Sequence, residues 1–189
     1  SGLIPNTTSY KFNNSKIVIP SYNDFVFLEN GEDIPFSIEM IFSLSNENKS
    51  VFLLNKRKDR LSGAYQINYN GNDIVFRLFS ETPQNAIISR VFFGANLKSN
   101  KTYHLVVTYD GSKRSSGLNV YLNTEKSIYE IRGNDFTYEG QVDTNSELII
   151  GATEAFGSFN FNLEGKIQLL SISRNIEYRQ SIVNYLYNN

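Results

Sequence analysis

A chain of 189 residues that is 40% hydrophobic and 14% aromatic has the length of one domain and enough apolar surface to offset the entropy of ordering it, which excludes a disordered segment. Its net charge of −1 lacks the basic excess of a nucleic-acid binder, so no nucleic-acid partner is expected. It has no cysteine, which excludes disulfides, thiolate metal sites and a cysteine nucleophile, and no apolar run approaches the roughly 18 residues of a bilayer span, so no membrane insertion is expected.

The chain opens Ser1-Gly2 without a Met, as expected of a domain excised from a larger protein. Asn6, Asn13, Asn48 and Asn100 each begin an N-x-Ser/Thr triplet, which an Asn-rich chain produces by chance. The dominant period is two. Phe36, Ile38, Met40 and Phe42 alternate with Ser37, Glu39 and Ser43, which predicts a strand with one buried face. Val51 to Asn55 predicts a second strand, and Tyr65, Ile67 and Tyr69 a third. Asn70-Gly71 supplies the residues of a type I′ turn, and Ile74, Phe76 and Leu78 carry the return strand. Further strands are predicted over Ile87 to Phe93, Tyr103 to Tyr109, Leu118 to Leu122, Ser127 to Ile131, Glu147 to Gly151 and Leu163 to Ser173. About a dozen short strands with Gly/Asn/Ser turns predict an all-β, two-sheet antiparallel sandwich. From Glu177 to Tyr187 the spacing turns helical: Tyr178, Ile182, Tyr185 and Leu186 share a face predicted to lie on the sandwich, with Asn175 as N-cap. No linker or repeat divides the chain, so residues 1–189 are read as one domain.

The order SYKFNNSKIVIP (Ser9 to Pro20), PFSIEMIF (Pro35 to Phe42), TYHLVVTYDGS (Thr102 to Ser112), LNVYLN (Leu118 to Asn123), LIIGA (Leu148 to Ala152) and LEGKIQLLSISRNIEYRQSIVNYLY (Leu163 to Tyr187) resembles the laminin G-like jelly-roll domains of the concanavalin A-like lectin/glucanase superfamily. The resemblance covers nearly the whole chain and implies a jelly roll with one short C-terminal helix. Its most specific part is the aromatic-His pair, the Val-rich strand, Tyr-Asp-Gly and the return strand. Tyr103 stands where relatives often have Trp, and Asn123-Thr124 replaces the usual Asn-Gly. Gln168-Leu169 stands where relatives often carry an acid, which weakens any inherited calcium site. The fold hosts lectins, adhesion modules, toxin subdomains and glycosidases, so it implies function only loosely.

Retaining glycosidases need two carboxylates about 5 to 5.5 Å apart, which glucanases of the resembled superfamily place on one strand face as Glu-x-Asp-x-x-Glu. No such motif occurs, no catalytic residue is assigned, and the chain is expected not to be an enzyme. The acidic run Glu29-Asn30-Gly31-Glu32-Asp33 is read as a solvated turn. His104 is the sole histidine; it excludes a His-based metal cluster and is read as structural, hydrogen-bonded at a strand start. No cofactor is required. Calcium could bind through oxygen ligands alone, but Asp24, Asp33, Asp73, Asp110, Asp135 and Asp143 are read as turn formers and none has a metal-loop spacing.

For ligand binding the candidates are basic and aromatic. Lys56, Arg57, Lys58 and Arg60, with Lys113 and Arg114, would attract a sulfated, sialylated or phosphorylated glycan if their loops converged, and are otherwise two solvated loops. Tyr22, Phe25, Phe136, Tyr138, Phe156 and Phe159, with Glu154 and Asn160 nearby, are the candidate sugar-stacking residues, although a sandwich this aromatic must bury most of its rings. The leading expectation is a non-catalytic carbohydrate-recognition or adhesion module of a larger extracellular, cell-surface or virion protein, with a glycan or cell-surface ligand as partner. The alternative is a structural or assembly domain of a phage tail fibre, capsid or bacterial surface protein, with a protein partner or self-assembly. The weaker alternative is a glycoside hydrolase or lyase.

Overall fold

The computed structural model describes residues 9–21, 25–57, 63–80, 87–127, 131–133, 137–142, 145–153 and 161–188. In chain order its strands are β1 (Tyr10–Asn13), β2 (Ile17–Ile19), β3 (Leu28–Glu29), β4 (Glu32–Asp33), β5 (Phe36–Leu44), β6 (Val51–Arg57), β7 (Gly63–Tyr69), β8 (Ile74–Phe79), β9 (Ile87–Phe92), β10 (Thr102–Tyr109), β11 (Leu118–Leu122), β12 (Glu125–Lys126), β13 (Ile131–Gly133), β14 (Leu148–Ile150) and β15 (Glu164–Arg174), followed by the helix α1 (Gln180–Asn188). Among the described residues one sheet has six strands in the order β1-β15-β5-β10-β11-β12, and the other seven in the order β13-β9-β8-β7-β6-β14-β2. Every pairing is antiparallel, as the period-two pattern predicts.

The core lies between the sheets because alternate residues of each strand point inward. Phe36, Ile38, Met40, Phe42 and Leu44 of β5 meet Tyr65, Ile67 and Tyr69 of β7 and Ile74, Phe76 and Leu78 of β8 in one buried cluster. Phe27 stacks on Phe36 at 3.8 Å between ring centres, and Phe36 meets Phe76 edge-on at 6.0 Å, geometries that suit the ring quadrupoles. The predicted hairpin of Tyr103 to Tyr109 and Leu118 to Leu122 is present: Leu105 faces Leu122, Val107 faces Val120 and Tyr109 faces Leu118. Asp110 starts its turn by accepting a 2.9 Å hydrogen bond from the Ser112 N–H.

Five expectations are corrected. The β7–β8 turn is not type I′. Tyr69 faces Ile74, leaving a four-residue loop in which the Asn70 side chain accepts hydrogen bonds from the Asn72 and Asp73 N–H groups at 3.0 and 2.7 Å; the Asx side chain closes the turn instead of two positive φ angles. The paired positive φ occurs at Asn30 and Gly31 (53° and 82°), which make the acidic run the β3–β4 hairpin, with Leu28 facing Asp33 and Glu29 facing Glu32. That run is therefore not all solvated, since Asp33 is only 8% exposed.

Strand β5 is buried on both faces, contrary to the one-faced expectation, because the C-terminal segment covers its outer side. The Ser37 hydroxyl donates to the Ile176 carbonyl (2.7 Å) and accepts from the Tyr178 N–H (2.8 Å). Asn175 lies at φ 58°, so it turns the chain rather than capping a helix, and α1 starts only at Gln180, where the Arg179 carbonyl accepts from the Ile182 and Val183 N–H groups. The inward residue is Val183, packed with Val106, Tyr121 and Tyr178, whereas Ile182 and Tyr185 of the predicted face are 39% and 66% exposed. The late start rotates the helix against the expected face.

Candidate functional site

The strand alternation that sends Ile74, Phe76 and Leu78 into the core turns Val75 and Arg77 outward on β8, and Ser89 and Val91 outward on β9. These residues floor a groove of about 340 Å³ on the outer face of the seven-stranded sheet, with Ile87 beside them. Register sets a polar row across four strands, of which Arg77 and Ser89 lie in the floor: Asn55 faces Gln66, Gln66 faces Arg77, and Arg77 faces Ser89. Gln66 Nε2 donates to Asn55 Oδ1 at 3.2 Å, and the Arg77 guanidinium donates to Asn68 Oδ1 of the neighbouring β7, so the guanidinium is held against that strand.

Two tied turns form the end wall. Asn70 and Asp73 line the groove from the β7–β8 turn, and Phe93 lines it from the turn after β9. The Gly94 N–H donates to Asp73 Oδ1 at 3.0 Å, and the Asn96 N–H to the Asn72 carbonyl at 3.2 Å. Gly94 and Asn96 lie at φ 62° and 43°, a left-handed conformation that Gly and Asn tolerate. The turn leaves the Phe93 ring 41% exposed. The groove thus offers an apolar ring, a guanidinium, a carboxylate, an amide and a hydroxyl, a set that suits a ligand with hydroxyls on an apolar ring face. Asp73 is the single carboxylate among the described residues lining it, so the pair required for glycoside hydrolysis is not assembled there.

The six candidate ligand residues that are described stand elsewhere. Lys56 and Arg57 are corrected from a solvated loop to strand, because β6 runs two residues further than predicted. Lys56 is 0% exposed with Nζ 2.7 Å from the Ser146 carbonyl, and the Arg57 guanidinium sits 4.1 Å over the Phe79 ring. Tyr138 is corrected from stacking residue to core residue, its hydroxyl donating to Asp33 Oδ2 at 3.1 Å. Phe25 is half-buried and packed against the core. Lys113 pairs with Glu32 at 2.6 Å, and Arg114 is exposed. Tyr22, Lys58, Arg60, Phe136, Glu154, Phe156, Phe159 and Asn160 lie outside the described residues.

Of the predicted residues, Lys113 and Tyr138 do come together, around Asp33. Asp33 accepts hydrogen bonds from the Tyr109 hydroxyl (2.8 Å), the Tyr138 hydroxyl and the Gln141 N–H (2.7 Å). Burial raises the Asp33 pKa above its ordinary value, against the lowering effect of these donors and of Lys113. Burial and the neighbouring Asp33 likewise hold both tyrosine pKa values above the ordinary phenol range. The cluster is closed off and joins three loops. His104, expected to be hydrogen-bonded at a strand start, is buried with Nε2 2.8 Å from Glu39 Oε1 and its ring 5.8 Å from that of Tyr187. Among the described residues no group of three or more His, Asp or Glu could hold a metal ion. Sequence reasoning missed the groove residues Asn70, Arg77, Ser89 and Phe93, and took Asp73 only as a turn former. The available signal was Arg77, a charge amid an otherwise apolar strand.

No family model and no curated protein matches the chain. Solved structures do. The botulinum neurotoxin serotype D binding domain superposes with a TM-score of 0.67 at 15% identity, over 95% of this chain and 42% of that one. The binding domain of Paraclostridial Mosquitocidal Protein 1 gives 0.66 at 18% identity, over 95% and 42%. A botulinum neurotoxin serotype D ligand binding domain in complex with N-acetylneuraminic acid gives 0.65 at 14%, over 95% and 41%. The chain therefore spans about two-fifths of the length of these proteins, and what it shares with them is the β-sandwich fold.

Proposed function

We propose that this chain is a non-catalytic binding module that recognises a glycan in the groove over β8 and β9, on a sandwich of the laminin G-like kind and as part of a protein acting outside the cell. The observation that carries the reading is the groove itself, in which an exposed Phe93 ring stands beside Arg77, Asp73, Asn70 and Ser89. An aromatic ring takes the C–H face of a sugar while fixed polar groups take its hydroxyls. Arg77 adds a planar pair of donors matched to a carboxylate, which favours a sialylated or uronic sugar. Similarity in fold to toxin binding domains, one solved with N-acetylneuraminic acid, supports the reading. That Asp73 is the single carboxylate among the described residues lining the groove favours binding without turnover.

A glycan-array screen followed by calorimetry on the chain tests this. Phe93→Ala and Arg77→Ala are each expected to weaken the best ligand about tenfold or more without unfolding the protein. Undiminished binding by both variants, or no affinity for any glycan, would refute it.

A further inference from the structure

A second hollow, of about 460 Å³, opens on the outer face of the other sheet. Its floor is a row set by register across four neighbouring strands: Lys11 of β1 faces Lys166 of β15, Lys166 faces Ser43 of β5, and Ser43 faces Thr102 of β10. Side chains directly opposite on antiparallel strands start only about 5 Å apart, and like charges in that position repel. Both lysines are exposed, and among the described residues neither forms a salt bridge. The next row pairs Asn13 with Glu164, whose carboxylate is already paired with Lys49 at 2.6 Å. The hollow therefore keeps two positive charges side by side, ringed by hydroxyls, amides and the Lys49-paired Glu164 carboxylate.

We propose that this row binds the sulfate or carboxylate group of an acidic sugar, held between Lys11 and Lys166, with Ser43, Thr102 and Asn13 taking neighbouring hydroxyls. An oxyanion between two ammonium groups replaces one repulsion by two attractions. The mixed lining selects the ligand class. Glu164 and the neutral donors accommodate sugar hydroxyls beside a single anionic group, whereas a densely anionic lipid surface would meet a carboxylate and a concave wall. The site lies on the opposite sheet from the β8–β9 groove and does not rest on its function.

Calorimetric titration of the full chain with a sulfated disaccharide, its desulfated counterpart and phosphatidylserine vesicles tests the assignment. The sulfated sugar is expected to bind, and removal of the sulfate, Lys11→Gln or Lys166→Gln to cost about tenfold each, the loss of one charge-assisted contact. Lys126→Gln, an equal charge change on β12, is expected to cost nothing. In ligand-free, low-salt buffer Lys166→Gln should melt no lower than the parent, because it removes the repulsion; this separates loss of the site from loss of the fold. Equal binding of the desulfated sugar, full affinity in the double Lys11→Gln/Lys166→Gln protein, binding of vesicles alone, or no binding would each overturn the proposal.

Discussion

Asp33 shows how a single residue can be misread when only its neighbours in sequence are known. It closes an acidic, Gly-containing run that looks solvated, yet Tyr109 at the end of β10 and Tyr138 and Gln141 from a distant loop surround its carboxyl. Because burial raises its pKa above the ordinary 3.8, the folded state holds the proton more tightly than the unfolded state does. The stabilisation from that proton is complete below the unfolded value and is lost as pH rises through the higher folded value. Urea unfolding of the parent and of Asp33→Asn across this window should show the parent's advantage over the variant shrinking as pH rises from 3.8; a difference that is flat or grows with pH would contradict the burial argument. Gly140 explains the closeness of the cluster, since a Cβ there would lie 3.1 Å from Asp33 Oδ1.

At the level of elements, α1 decides whether the outer face of the six-stranded sheet is wet or dry. Val183 is its one fully buried residue, seated on Val106 and Tyr121. Val183→Ala removes two methyl groups from a contact with few others, and is expected to cost roughly 2 kcal/mol, with hydrogen exchange accelerated first in α1 and then at His104. Unchanged exchange in α1 would show that other contacts hold the helix. The strands were legible from period two because each sends alternate side chains to one core. The phase of α1 was not, because Ser37 fixes residues 176–178 outside the helix by hydrogen bonds between positions more than a hundred residues apart. The burial of Lys56 was hidden for the same kind of reason, its acceptor being the carbonyl of Ser146. The bulge between Ile167 and Leu169, which inserts Gln168 and shifts the β15 register on β5, has no local signature beyond the Gln-Leu pair itself.

Across the whole molecule, the two sheets spend one face each on the shared core and leave the other to be covered or used. The six-stranded sheet is partly capped by the C-terminal segment and keeps the lysine-rimmed hollow; the seven-stranded sheet keeps the groove beside Phe93. Of the aromatic candidates among the described residues Tyr138 is buried and Phe25 half-buried, because a two-layer sandwich draws its rings inward, while the groove is assembled from residues of β8, β9 and the turns beside them that only register brings into line. Backbone-amide NMR titration of the chain with sialylated, uronic and neutral oligosaccharides tests the binding-module account most directly. The account predicts saturable shifts at Asn70, Asp73, Arg77, Ser89 and Phe93 with the ligand recovered intact. Silent groove amides for every ligand, or a ligand cleaved during the titration, would contradict it.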